Sequence, residues 1–541
     1  MQAARSQSLG AGRPTGSRRA RRSEHRVQGR GTLTGRGTLV LLVVIILIMP
    51  AATSAFATGA PEAEADTSIN FALSGNPDTL DPHTTSGTLT FQVIRSFYDT
   101  LVEPDTEGRL VPALAESWEV SEDNLIWTFT LRDDVVFHNG EELTSADVKA
   151  TFERLMDPET SSPKANEFNA VEAIETPDER TVVMQLSEPY APLLSTLASG
   201  WGAILPKSLI DADHDFANQP VGTGPFVFEE WVRDNRIVMS KNNSYWMEDL
   251  PRVDRVVINV IVEPSVQVQG LVAGDLDIID TVPSEELAML EENNETKVLQ
   301  DLSALVMVLA INTDREPLNQ VSVRQAISQA IDKQAVLDTA YGGGEPVSTF
   351  MDYSDPYYVD YSDMLPHDPA AAREKLEEAG VDTEEPLTMA LPQNYDAHVQ
   401  AGQIYEDMLS EVGLNIELQL VDWSTWLSDV YGGGNYDLTV IGHTGKLDPD
   451  GRLAGYGTGE SYVNWENERA ASLIETARSV VNFEERKELY AEALEIMARE
   501  VPQAYIGSSY RYIGMRSGVE GFHMDNKLDT FDFRRVTKTA E

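Results

Sequence analysis

The sequence reads as an α/β chain, and three observations carry that reading. Short runs alternate apolar with polar residues, the period-two mark of a strand with one buried face. Trp127, Phe129 and Leu131 alternating with Thr128, Thr130 and Arg132 are one such run. Other stretches repeat every three to four residues. Val323, Ala326, Ile327, Ala330 and Ile331 stand at i, i+3, i+4, i+7 and i+8, an amphipathic helix. Third, a helix opening at Val266 closes at Ala273-Gly274 before the apolar run that follows Asp275, a turn of the βαβ kind.

The elements follow in order. Ser68–Leu73 alternates as a first strand, and turn residues lead from Gly75 to Gly87. Leu89, Val93, Ile94 and Phe97 have helical spacing. Ser121 to Asn124 form the turn before the strand at Trp127. Val135–Phe137 is a short strand candidate, and Asn139-Gly140 is a turn pair. Thr144 and Asp147 make a capping box for a helix whose Val148, Phe152 and Leu155 share one face. Asp157-Pro158 stops it. Ala170–Leu186 reads as a hairpin turning at Pro177-Asp178, and Tyr190 to Gly200 as a helix. Strands follow at Val256–Val262 and Leu305–Ile311. Asp368-Pro369 caps a helix that ends at Gly380. Ile416–Leu420 and Asn435–Ile441 are strands, a late helix carries Leu489, Ala493 and Ile496, and Tyr505–Met515 is a strand again.

The composition narrows the function. The chain has 541 residues, 42% hydrophobic and 24% charged, a globular balance for roughly two to four domains. There is no cysteine, which excludes a zinc–thiolate site, a disulfide framework, a thiol nucleophile and a lipid anchor. Residues 1–38 are rich in Arg, Leu39–Met49 is an apolar run too short to span a bilayer, and Ala55-Phe56-Ala57 is a small-x-small site. Residues 1–57 therefore read as a signal peptide, and 58–65 as a polar linker. Those 57 residues hold nine Arg and one Glu, which leaves 32 basic and 87 acidic residues, a net charge of −55. Such a surface repels nucleic acid and anionic lipid. No G-x-S-x-G elbow, H-E-x-x-H pair or P-loop is present, and the eight His are scattered. Asp275 and Asp277 lack the glycine of an EF-hand and read as solvated turn acids. The expectation is a binding protein without a cofactor or metal, not an enzyme. A secreted hydrolase is the contrasting reading.

The stretch from Ala113 to Asp157, ALAESWEVSEDNLIWTFTLRDDVVFHNGEELTSADVKATFERLMD, resembles the signature of the family-5 extracytoplasmic solute-binding proteins. These are receptor subunits of ABC importers for peptides, nickel chelates and some oligosaccharides. VGTGPF at Val221–Phe226, NNSYW at Asn242–Trp246, AGDLDIID from Ala273 and VRQAISQAID from Val323 extend the resemblance. It covers about residues 67 to 535.

The resemblance implies an α/β, two-lobed periplasmic-binding-protein fold, type II-like, with an extra domain and the ligand cleft between the lobes. Mapped by motif, domain I is 66–96, 219–312 and 506–541, domain II is 97–218 and domain III is 313–505. The chain would cross between lobes near Asn312 and Tyr505. The function implied is a monomeric periplasmic receptor that closes over its ligand and docks on ABC permease subunits with their ATPases. Di- or oligopeptides or modified peptides are the first expectation; an oligosaccharide, an opine-like compound or a nickel chelate are alternatives.

The resemblance also suggests where the ligand sits. Thr85, Ser86 and Gly87 match a loop that borders the cleft. Trp423 aligns with a position that lines the pocket in peptide-binding relatives, whereas Trp426 reads as core. The loop His443, Thr444, Gly445, Lys446, Leu447, Asp448 follows a strand after which those relatives carry an Asp for the peptide α-ammonium. Aligned without a gap, Lys446 occupies that place and His443 replaces a usual Trp. A gap placed earlier would leave Asp448 as the anchor. A buried carboxylate needs its partner charge, so the two alignments imply different ligands.

Overall fold

The computed structural model describes residues 67–382 and 385–539. The expected signal peptide 1–57, the linker 58–65 and residue 66 lie outside the described residues. Among the described residues no helix is long and apolar enough to cross a membrane.

The first lobe is built on a mixed sheet. Ser68–Leu73 lies parallel to Arg255–Val260 and to the short Ile278–Ile279. Arg236–Lys241 and Phe226–Val232 continue it as antiparallel neighbours. Phe71 and Ile69 are fully buried, and Phe71 meets Phe531 and Phe533 at 4.9 and 5.2 Å between ring centroids. The helix Pro264–Ala273 ends at Gly274 in the left-handed region (φ 82°), where a side chain would be strained.

The extra domain carries a four-stranded antiparallel sheet in the order Ala115–Val120, Ile126–Leu131, Thr181–Leu186, Val171–Glu175. Trp127, Phe129 and Leu131 point into its core, as their alternation requires. Helix Ser145–Met156 covers them with Val148, Phe152 and Leu155, all fully buried. Asp147 accepts the Thr144 N–H at 2.9 Å, so the N-terminus is capped. The strand candidate Val135–Phe137 makes only the single bridge Val136 to Glu142, because Phe137 and Gly140 close a tight turn first. In the VGTGPF stretch, a Cβ on Gly222 or Gly224 would lie 2.4 Å from the Phe97 backbone, so both glycines serve a close approach of two chain segments.

The second lobe centres on Val306–Ile311, which pairs antiparallel with Leu438–His443. Pro386–Pro392 and Asn415–Val421 extend this sheet in parallel. Every residue of Val306–Ile311 is buried. Met307, Leu309 and Ile311 face one core, and Val306, Val308 and Ala310 the other, so the strand lies between two layers of helices.

The two lobes share one strand. Gln503–Arg516 pairs with Val306–Ile311 as far as Gly507, and with Thr296–Leu302 from Tyr510 onward. The change of sheet falls at Ser508–Ser509, and beside it the chain crosses a second time at Ser303–Leu305. Ser303 donates its N–H to the Ser509 carbonyl at 2.9 Å, tying the crossings together. Tyr505 stands on the same strand three residues before the first crossing, and Asn312 seven residues after the second. Val306–Ile311 is a uniformly apolar strand, so its motif cannot say which sheet it joins. Asn312 lies at the far end of that strand, donating to the Gly434 and Tyr436 carbonyls within the second lobe.

Candidate ligand-binding site

A cavity of about 830 Å³ lies where the two lobes and the extra domain meet. Ser86, Trp201 and Asp529 come from the first lobe's side, Lys164 and Tyr190 from the extra domain, and the loop Thr444–Asp448 from the second lobe. The crossing residues Ser303–Leu305 and Ser509 form part of its wall. The lobes also touch directly. Ala191 donates its N–H to the Arg478 carbonyl at 2.8 Å, and Leu447 and Val481 pack against the core of the extra domain.

The loop that follows Leu438–His443 owes its course to close packing. A Cβ on Gly445 would lie 2.6 Å from that of Ala304, so only glycine lets the loop approach the crossing. Arg452, buried, donates to the Ala304 carbonyl at 2.6 Å, to Phe350 at 2.9 Å and to Thr444 at 3.2 Å. One guanidinium thus fixes the crossing, the loop and the neighbouring segment together.

The carboxylates on the wall are paired. Asp448 is gripped by Arg486 of helix Phe483–Glu500 at 2.5 and 2.7 Å, a bidentate pair shut away from solvent. Burial opposes the charge on Arg486, but Asp448 outweighs it and raises the guanidinium pKa. Ser195 of the extra domain reaches the same carboxylate at 3.4 Å. Asp450 pairs with Arg478 at 2.9 Å, Asp529 with Arg511 at 2.5 Å, and Lys164 with Glu167. Lys527 bridges Asp352 and Asp355 at 2.8 and 3.0 Å. Lys446 lines the cavity with its stem 3.1 Å from where a Cβ on Gly451 would stand. Burial lowers its pKa, with Lys164 and Arg452 adding to the effect and Glu167 opposing it.

The residues singled out in the sequence fall in four places, the last of them, that of Trp423, away from the cavity. Ser86, Thr444, Gly445, Lys446 and Asp448 stand on the wall of this cavity. Thr85 and Gly87 lie behind it. Thr85 donates to Asp78 at 2.9 Å and accepts the Gly87 N–H at 2.8 Å, while its carbonyl accepts Trp201 Nε1 at 2.8 Å. His443 faces an adjoining chamber of about 420 Å³ lined also by Phe350, Tyr456 and Tyr462. Its Nε2 and the Tyr462 hydroxyl are 2.9 Å apart, and burial, with Arg452 and Lys446, lowers its pKa to about 3. Among the described residues no three His, Asp or Glu side chains gather as a metal site.

Two expectations about side chains need correction. Trp423 does not reach the cavity. It follows the outermost strand Asn415–Val421, stacks on Trp426 at 5.0 Å and meets Tyr395 edge-on at 5.3 Å. Trp423→Ala should cost about 1–2 kcal/mol of stability from the lost stack and leave ligand affinity within about twofold. A calorimetric titration and a urea melt check both; a large loss of affinity would return Trp423 to the site. The second concerns Asp448. Both of its carboxylate oxygens are engaged by Arg486, so it holds no charge in reserve for a ligand ammonium. Nothing local marks Lys164, Tyr190, Trp201, Arg511 and Asp529; they come from two segments, 164–201 and 511–529, that are 310 residues apart in the chain.

Two lobes joined by two crossing strands beside a cleft define a protein of the periplasmic-binding-protein fold. Comparison with known proteins makes this particular. Residues 109–463 match the model of the bacterial extracellular solute-binding proteins, family 5, and the chain belongs to that family. It is 30% identical over 520 residues to di/tripeptide-binding protein 1 of Pseudomonas aeruginosa (strain UCBPP-PA14), an alignment covering 89% of this chain and 96% of that one. Among solved structures it is similar to the PBP AgaA in complex with agropinic acid, from A. tumefacien R10 (29% identity, TM-score 0.70, 88% of this chain and 99% of that one). HbpA2 from Haemophilus parasuis shares the fold, with 24% identity and a TM-score of 0.80 over 87% of this chain and all of that one.

Proposed function

We propose that this chain is an exported, monomeric receptor of an ABC importer that takes up a short peptide between its lobes. The observation that carries the reading is the cleft between the lobes, whose volume of about 830 Å³ suits a small ligand and whose walls come from both lobes. The full-length similarity to a relative named for di- and tripeptides supports the ligand class. The paired crossings at Ser303–Leu305 and Ser508–Ser509 are the natural hinge. Ligand contacts with both lobes favour the closed form, and that form then docks on the permease. Domain I (66–96, 219–312 and 506–541) with domain II (97–218) would move as one lobe, and domain III (313–505) as the other.

The test is a thermal melt of the purified protein, freed of carried-over ligand by denaturation and refolding, against a library of di- and tripeptides. A bound peptide at a hundred times its Kd should add about 2.7 kcal/mol to stability and raise the Tm. No shift with any peptide, while a non-peptide released from freshly purified protein restores the higher Tm, would overturn the peptide reading.

A further inference from the structure

The cavity lies in a protein whose net charge is −47. Its walls are nevertheless not acidic in balance. Each carboxylate on the wall is already matched by an Arg or Lys, in the pairs described above. Lys527, between two aspartates, is matched as well. Among the charged side chains described on that wall, Lys446 is the one without an ion pair or hydrogen bond. It is not a surface lysine in search of solvent. It is partly buried, its stem lies over Gly451, and it borders both the main cavity and the aromatic chamber beside it.

A partly buried, unpaired ammonium is costly unless something supplies the opposite charge. In so acidic a chain a carboxylate could readily have paired with Lys446; Glu167 acts on it electrostatically but is held by Lys164, and no carboxylate pairs with Lys446 directly. We infer that Lys446 receives a carboxylate of the bound ligand, and that the site selects ligands carrying one net negative charge. The inference rests on the peptide reading only for the word peptide; the charge argument holds for any small ligand in this cavity. A peptide meeting it is an acidic one or one whose amino terminus is blocked, because the wall offers no unpaired carboxylate for a free ammonium. Burial and the neighbouring cations Lys164 and Arg452 lower the ammonium's pKa against the opposing pull of Glu167, and an incoming carboxylate would relieve that strain.

Titration calorimetry with five probes tests the inference on the ligand-free protein and on Lys446→Gln. The peptide probes are N-acetyl-Ala-Ala (net −1), Ala-Ala (zwitterion) and Ala-Ala amide (net +1). Glucuronate and glucose form a non-peptide pair. The expected result is binding of N-acetyl-Ala-Ala about tenfold tighter than Ala-Ala, with that preference lost in Lys446→Gln. Lys446→Arg should keep most of it. If glucuronate binds over glucose and no peptide binds, the peptide reading fails and the role of Lys446 stands. Equal or tighter binding of Ala-Ala overturns the inference and leaves the peptide reading intact. A preference unchanged in Lys446→Gln, or no binding of either anionic probe, overturns it too.

Discussion

Replacing Lys527 with Met should cost about 3–5 kcal/mol of stability, because it strands two buried carboxylates at once. Lys527 belongs to the turn between His523–Asp525 and Thr530–Asp532, a hairpin packed on the first lobe through Met524 and Phe531. Its ammonium crosses to Asp352 and Asp355 beside Phe350 and Tyr357 of the second lobe's core, and all three side chains are at most 5% exposed. Arg452 approaches Asp352 at 3.5 Å and cannot neutralise both acids. Burial works against the Asp352 carboxylate, but Lys527 and Arg452 outweigh it and hold its pKa below the usual value. The measurement is the urea midpoint at neutral pH. The triple variant Lys527→Met, Asp352→Asn, Asp355→Asn should recover part of the loss, since it removes the stranded charges. A loss under about 1 kcal/mol in Lys527→Met would show that water reaches the pair. Because the link spans the lobes, small-angle scattering of the single variant should also show a larger radius.

The second large effect is acid sensitivity. His83 is completely enclosed, with Nδ1 2.8 Å from Arg154, and burial and that cation lower its pKa to about 3 against the opposing pull of Asp81. His398 is buried with its Nδ1 2.9 Å from the Tyr341 hydroxyl, and burial lowers its pKa to about 4. Both rings stay neutral in the folded protein, while the unfolded chain protonates them near pH 6.5. Their contribution is therefore intact above about pH 6.5 and declines as the pH falls. Each ring accounts for about 1.4 kcal/mol per pH unit, so the two together remove about 2.7 kcal/mol per unit. The slope lasts until the folded protein takes up protons itself, near pH 4 for His398 and near 3 for His83. His138, lowered to about 4, and His443 act in the same direction. The many carboxylates also titrate in this range, so the informative quantity is a difference. His398→Gln should flatten the stability profile between pH 6 and 4.5 by about 1.4 kcal/mol per unit relative to the parent. Identical slopes for the two proteins would refute the assignment.

Local features of this protein were legible because their causes are local. The period-two run at Trp127–Leu131, the Thr144–Asp147 cap, the Gly274 helix end and the Asp368-Pro369 start each depend on residues within a few positions. Family membership was legible too, because the stretch Ala113–Asp157 is long and unbroken. The sequence also placed Ser86 and Thr444–Asp448 among the candidates, and they do share one cavity wall. What it left open are facts about pairing across long separations. Val306–Ile311 could have joined either sheet, and only hydrogen-bonded register with Leu438–His443 assigns it to the second lobe. Asp448 could have been a ligand anchor, and only the approach of Arg486, on a helix 38 residues further on, removes it. Lys446 is ordinary as a letter in a loop. It becomes exceptional only once every other charge around it has found a partner, and that matching is decided by tertiary packing, because a charge is paired or unpaired according to what lies within a few ångströms of it in space.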